Sequence, residues 1–213
     1  MTHVTKAALI PTNISWLDSG SLVVVSNDRG QIQCFDSALS LVRLQITMEE
    51  CNPQRMLDLS DYFCHQQLLE KLEWAPLPKT NEVLQNNYPN LLMLHFSQGP
   101  LTCLKFDIGG GNERGLSVGM LTAQYVRNHQ IDEAINLLVS LDWNRKGSLA
   151  MRCLNYIVNH LLKGNLTPQA ETQMEACLGT FHVPIQPLNK VTEEEFGPTV
   201  RALTRRFFFK VLR

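Results

Sequence analysis

A β part followed by a separate α part is the architecture this sequence predicts: antiparallel blades of the β-propeller kind, then an α-helical solenoid of TPR-like helical hairpins. Three observations predict it. A valine-rich hairpin, GSLVVVSNDRGQIQCFD at residues 20–36, recurs as LLMLHFSQGPLTCLKFD at residues 91–107. A glycine-rich hinge, residues 109–115, follows the second hairpin. From Leu116 onward the apolar residues fall at helical spacing. The domains so predicted are residues 1–110 for the blades and 111–213 for the helices.

In the β part, Ile14-Ser-Trp-Leu17 before Asp18-Ser-Gly20 reads as a first short strand. Leu22 to Ser26 is dense in β-branched residues, Asn27-Asp-Arg-Gly30 supplies turn chemistry, and Gln31 to Phe35 resumes with Ile32 and Cys34; the pair is a β-hairpin. Leu41 to Thr47 alternates and completes a meander of four strands. Moving along the chain from Gly30 to Gly99, 69 positions, also carries Ile32 onto Leu101 and Cys34 onto Cys103. Repeated four-stranded units argue for propeller blades, whose usual period is about 40 to 45 residues. The excess marks an insertion around residues 48–90, within 48–67 or in the polar stretch Pro76 to Pro89. Between the hairpins, Met56, Leu59, Phe63 and Gln67 fall near helical spacing, while Leu68, Leu72 and Trp74 alternate. That predicts a short helix and then a strand entering the second blade.

In the α part, Val118, Leu121 and Tyr125 share one helix, and Ile131, Ala134, Ile135 and Leu138 share a second with Asp132 and Glu133 in its first turn. Leu149 to Lys163 is a third, closed by Gly164-Asn165. Thr167-Pro168 caps and opens a fourth, which Gly179 ends. Thr192-Glu-Glu-Glu195 matches a capping box for the last helix, and Gly197-Pro198 kinks that helix or marks its true start. The apolar pattern Val200, Leu203, Phe207, Val211 runs to the end of the sequence, as expected for an internal piece of a longer helical stack.

Composition bounds the function. With 44% hydrophobic residues in 213, the chain can bury a core, and 19 basic against 20 acidic side chains leave no global field for nucleic acid or an anionic membrane. The cysteines (Cys34, Cys51, Cys64, Cys103, Cys153, Cys177) lie far apart in sequence, and the first apolar run stops at Pro11 without a signal-peptide pattern. They read as reduced thiols of a cytosolic protein.

The first hairpin ends on Phe35-Asp36 after a polar turn, as a WD-type repeat ends its third strand on Trp-Asp. Together, SNDRGQIQCFDSALS, HFSQGPLTCLKFDIG, DEAINLLVSLDWN, IVNHLL, LTPQAETQMEACLGTFHVPIQPL and RRFF resemble the fritz family of WD-repeat planar cell polarity effectors. The resemblance spans nearly the whole chain and is most specific over Leu166 to Leu188. It implies the last blades of a propeller and the first helices of a solenoid, with no enzymatic activity and no cofactor. It also implies protein partners: inturned, fuzzy, a Rab-like small GTPase and septins, in a ciliogenesis and planar polarity effector complex. The implied place is the cytoplasm, at the basal body and axoneme, the cytoskeleton and the plasma membrane periphery. The implied work is cilium assembly, recruitment of intraflagellar transport proteins, septin organisation and collective cell movement. Gly197-Pro198 and the triple glycine 109–111 depart from the family pattern, which puts local helix geometry and hinge stiffness in question. The alternative is a vesicle-coat or intraflagellar-transport subunit, since those also pair propellers with solenoids.

No residue is assigned a catalytic, cofactor-binding or metal-binding role, and partner-binding residues are left unassigned. The triple glycine lacks the Gly-Lys-Ser/Thr of a phosphate loop and suits a linker. Cys64-His65 with Cys51 lacks the paired ligands of a structural zinc site. A Cys-His hydrolase would need a thiolate in an electropositive setting, and no nucleophile motif is present. Arg201, Arg205, Arg206, Lys210 and Arg213 surround Phe207-Phe-Phe209; this suits a weak membrane association, but better a helix end that complements its dipole and packs on a further helix. Asp142-Trp143 lies between two helices, where the indole packs their turn.

Overall fold

A computed structural model describes residues 9–17, 19–46, 53–60, 62, 68–75, 90–99, 101–107 and 116–212. The chain divides into two compact units between Leu116 and Ser117. The predicted hinge, residues 109–115, lies outside the described residues, as does the polar stretch Pro76 to Pro89.

The first unit holds two open antiparallel sheets. In one, β1 (Asn13–Trp16), β2 (Leu22–Ser26), β3 (Gln31–Asp36) and β4 (Leu41–Val42) are neighbours in that order, and β5 (Leu57–Asp58) also pairs with β3. In the other, β6 (Leu69–Trp74), β7 (Asn90–Phe96) and β8 (Thr102–Phe106) are neighbours in order. Both predicted hairpins form. Their turns depend on Gly30 at φ 79° and Gly99 at φ 96°, values that a side chain would strain.

Two expectations fail here for one reason. The predicted strand Leu41 to Thr47 stops at Val42, apart from a single bridge between Leu44 and Gln54, and the predicted helix from Met56 through Leu59 is extended at Leu57–Asp58. β4 pairs with Cys34 and Phe35, whereas Gln31 and Ile32 pair with Asp58 and Leu57. The free edge of β3 is thus shared by two short segments, and its unpaired backbone groups outweigh a marginal helical pattern. Phe63 and Gln67 lie outside the described residues.

Leu22, Val24, Ile32 and Cys34 of the first sheet and Leu72, Leu92 and Leu94 of the second meet in one core, joined by Leu17, Leu59, Leu69 and Leu116. Ser19 and Ser21 hydroxyls donate to the Leu116 carbonyl at 3.1 and 3.0 Å, which ties the end of the unit to its first turn. The predicted equivalence of Cys34 and Cys103 holds in strand register but not in environment: Cys34 is fully buried and Cys103 exposed. At the edge, Asp58 accepts from the Gln31 amide at 3.0 Å and the Ser60 hydroxyl at 2.6 Å. The Ser60 and then the Gln31 hydrogen bonds hold its carboxyl below the ordinary 3.8. A depressed folded-state value contributes stability above pH 3.8 that is lost as pH falls through the lower value. Asp58→Asn should therefore flatten the acid limb of stability against pH, as read by urea midpoints between pH 2 and 6, and change little at neutral pH.

The second unit is five helices: α1 (Val118–Arg127), α2 (Ile131–Val139), α3 (Trp143–Lys163), α4 (Pro168–His182) and α5 (Lys190–Val211). Each helix packs on the next and on the next but one. Leu137, Leu138, Leu154, Ile157 and Met174 are fully buried between them. Caps explain the ends. Ser117 accepts from Met120 N, Asp142 from Asn144 N, Thr167 from Ala170 N and Asn189 from Thr192 N.

Three predicted boundaries are corrected. α3 starts at Trp143 rather than Leu149, because Asp142 caps it and a non-helical Lys146 absorbs the change of direction. α4 runs through Gly179 to His182, carried on by burial of Phe181. α5 is capped by Asn189 rather than Thr192, which is itself buried in the first turn, and it continues unbroken through Pro198. Pro198 is on the exposed side, as is Glu194, whose carbonyl it leaves without a helical donor, while Thr192, Gly197, Val200 and Leu203 keep one face buried on both sides of it. Open space surrounds the point where a side chain at Gly179 would begin. Gly179→Ala should therefore raise stability by about 0.5–1 kcal/mol, read as a higher urea midpoint at unchanged slope.

Candidate functional site

The segment Val139-Ser140-Leu141-Asp142 turns the chain from α2 into α3 and delivers Trp143 to the first position of α3. Its ring is 5% exposed, packs edge-on against Phe181 at 5.0 Å and tilts towards Phe196 at 6.1 Å. The predicted role of Trp143 as a packing residue is what the geometry shows, with one addition. Its indole N–H is buried and has no hydrogen-bond partner among the described residues. A buried unpaired donor costs about 1–3 kcal/mol.

Trp143 lines a groove of about 350 Å³. Val139 and Leu141 stand beside it, Gly179 and Thr180 of α4 form the floor opposite, and Val183, Pro184 and Ile185 form the far wall. Val183 and Ile185 are each 81% exposed. The wall is held from below: the Asn144 side-chain amide donates to the Pro187 carbonyl at 3.0 Å, and its oxygen accepts from Asn189 N at 2.9 Å. Proline at 184 and 187 stops α4 from continuing, and the chain bends at Val183, Ile185 and Gln186 before α5. An apolar trough of this kind is chemistry for holding the apolar side chains of a peptide segment. Ser140, Thr180 and Asp142 also line it; the Ser140 hydroxyl donates to the Leu137 carbonyl at 2.7 Å and the Thr180 hydroxyl to the Cys177 carbonyl at 2.8 Å.

The residues weighed from sequence do not gather here. Desolvation pushes the thiols of Cys34, Cys153 and Cys177 up from their ordinary range, and the Thr122 hydroxyl donating to Cys153 Sγ at 3.4 Å offsets this only in part. Thiols held protonated are poor nucleophiles. Cys51, Cys64, His65 and the triple glycine 109–111 lie outside the described residues. Among the described residues, no three His, Cys, Asp or Glu side chains converge as metal ligands, and no helix is long and apolar enough to cross a membrane.

The basic end of α5 is partly committed within the unit. Lys210 donates to the carbonyls of Leu162 and Gly164, closing the C-terminus of α3, and Arg206 donates to Asn159 at 3.1 Å. Phe207 is buried, whereas Phe208 and Phe209 are 56% and 69% exposed. The groove was not picked out from the sequence. Its signal was present in Val183-Pro-Ile-Gln-Pro187, a stretch too apolar for an ordinary loop and too proline-rich for a helix.

The whole chain, residues 1–213, matches the family described as WD repeat-containing and planar cell polarity effector protein Fritz. The fritz homolog of Xenopus laevis is 36% identical over 217 residues, covering 100% of this chain and 30% of that protein. The Homo sapiens homolog is 35% identical over 214 residues, covering 100% of this chain and 29% of its own length. Drosophila melanogaster fritz is 29% identical over 219 residues, covering 99% and 23%. The chain thus spans about 30% or less of the length of these relatives.

Proposed function

We propose, because this chain belongs to the Fritz family of WD repeat-containing and planar cell polarity effector proteins, that it is a non-catalytic scaffold segment of a planar cell polarity effector. The whole-length family match carries the reading. In this reading the two sheets are neighbouring blades of a propeller and α1 to α5 begin a solenoid, which the contacts of each helix with the next two support. The partners are proteins: inturned, fuzzy and a Rab-like small GTPase in a ciliogenesis and planar polarity complex, with septins and intraflagellar transport proteins downstream. Its place is the cytoplasm at the basal body, the axoneme and the cytoskeleton near the plasma membrane. The vesicle-coat alternative has no observation of its own to favour it.

Within this scaffold, the groove beside Trp143 is the surface best suited to a partner segment. A few anchors dominate such contacts, and truncating one costs at least about 2 kcal/mol. The test is capture of inturned and fuzzy by the tagged chain, beside a version ending at Gly110 and beside a double variant, Val183→Asp with Ile185→Asp. Capture that is lost in both altered forms supports the groove. Capture that survives removal of residues 111–213 moves the surface to the sheets, and no capture by a folded chain sinks the scaffold role for this segment.

A further inference from the structure

Five consecutive residues of α3, outside the groove, carry a pattern with chemistry of its own. Residues 145–149 read Arg-Lys-Gly-Ser-Leu. Cations three and two positions before a serine, with an apolar side chain directly after it, are what a basophilic Ser/Thr protein kinase recognises. Carboxylates in the kinase groove pair the cations, the guanidinium as a bidentate partner, and an apolar pocket takes the side chain that follows. Arg-x-x-Ser/Thr occurs three times in the sequence, at Arg114–Ser117, Arg145–Ser148 and Arg201–Thr204. The middle one alone combines a second cation with an apolar follower. The other two hydroxyls also work inside the fold: Ser117 caps α1 by accepting from Met120 N, and Thr204 donates to the Val200 carbonyl at 2.9 Å. Ser148 is exposed.

The structure sets this pattern over a joint in α3. The Arg145 side chain is 86% exposed, and Lys146 and Ser148 are exposed as well. Arg145 meets Asp142 only at 3.6 Å, a surface contact of little strength, so its guanidinium is available. α3 is two helical limbs joined at Lys146, whose φ of −125° and ψ of 31° are not helical. Gly147 follows, and after proline no residue favours a helix less. A kinase takes its substrate extended, which residues at a joint can supply while Trp143 and Asn144 stay anchored. Trp143 is packed against Phe181, and Asn144 is tied to Pro187 and Asn189. Leu149 is half-buried and Gly147 lies against the Phe196 ring, so acceptance passes through a local opening of the joint.

We propose that Ser148 is a phosphorylation site for a basophilic Ser/Thr kinase that uses ATP, recognised through Arg145, Lys146 and Leu149. Ser148 Oγ attacks the γ-phosphorus of ATP. The new O–P bond forms as the bond to the β,γ-bridging oxygen breaks, ADP leaves, and the hydroxyl proton passes to a carboxylate base of the kinase. The product carries roughly two negative charges at neutral pH. They fall in the first turn of the second limb of α3, where the helix dipole favours them, and four positions before the exposed Arg152. The phosphate thus closes the helix that had to open to receive it. One limb of α3 becomes harder to unwind after modification than before.

The test is incubation of the 213-residue chain with the catalytic subunit of cyclic AMP-dependent protein kinase and magnesium ATP, with phosphate located by tandem mass spectrometry. Phosphate is expected at Ser148, absent from that position in Ser148→Ala and taken up at least about tenfold more slowly by Arg145→Ala, which loses a charge-assisted pairing. Both altered side chains are exposed, and circular dichroism checks that each variant is folded. After modification, amide hydrogen exchange across residues 147–152 should slow. No phosphate at Ser148 in the folded chain would overturn the proposal. So would uptake that Arg145→Ala leaves unchanged, or uptake confined to chain first unfolded in urea, since either removes recognition at the joint. Faster exchange after modification would overturn the closing of the helix. Phosphate uptake does not depend on inturned or fuzzy binding, so the modification and the scaffold role can fail separately.

Discussion

Trp143→Ala is expected to lower the stability of the helical unit by about 3–5 kcal/mol, the usual cost of emptying a large aromatic site in a core. The ring is 5% exposed and bridges three helices, touching Phe181 of α4 at 5.0 Å and Phe196 of α5 at 6.1 Å from its own seat on α3. Aromatic pairs contribute about 0.5–1.5 kcal/mol beyond the area they bury, so loss of both contacts should place the variant at the upper end. Trp143→Phe separates the ring from its N–H. It keeps most of the apolar body and removes a buried donor that has no partner; those effects oppose each other, and the net change should stay within about 1.5 kcal/mol. Urea titrations followed by circular dichroism would report both. If the phenylalanine variant is as costly as the alanine one, the indole N–H is paired in solution.

The strand pattern was legible where one face was buried and the turn needed glycine. The first hairpin and the positive φ of Gly30 and Gly99 follow from residue chemistry that acts over a few positions. What stayed hidden was decided by partners distant in sequence. Leu57 and Asp58 become a strand because Gln31 and Ile32 still offer an open edge. Gly179 stays helical because Phe181, beyond it, finds Trp143. Pro198 is tolerated because its ring faces water while Gly197 and Val200 are held on the buried side. The groove shared this obscurity, since its walls come from the α2–α3 turn and from the segment after α4, and neither is informative without the other. The resemblance segment Leu166 to Leu188 contains Gly179, Thr180, Val183, Pro184 and Ile185, so part of it lines the groove.

Asp36→Ala is expected to cost about 2–4 kcal/mol, while Asp107→Ala, the matching change in the second Phe-Asp, should stay within about 0.5 kcal/mol. The two dipeptides look alike in sequence and differ in every physical respect. Asp36 is fully buried, and its Oδ1 accepts from Ala38 N at 2.8 Å and from Ser40 N at 2.9 Å. Those bonds close the turn into β4, in which Leu39 is held at φ 61°. Removing the carboxylate strands two amide donors and loosens a turn that already carries backbone strain. Asp107 follows β8 on the exposed side of its sheet. The register explains the difference. The 69-position step that superposes the hairpins carries Phe35-Asp36 onto Leu104-Lys105, two residues before Phe106-Asp107. The second sheet thus repeats the letters of the turn without its geometry. Asp36→Asn, which keeps an acceptor at Oδ1, should recover more than half of the loss. Equal costs for Asp36→Ala and Asp107→Ala would mean that the second dipeptide closes a similar turn, and that the 69-position equivalence of the two hairpins is off by two residues.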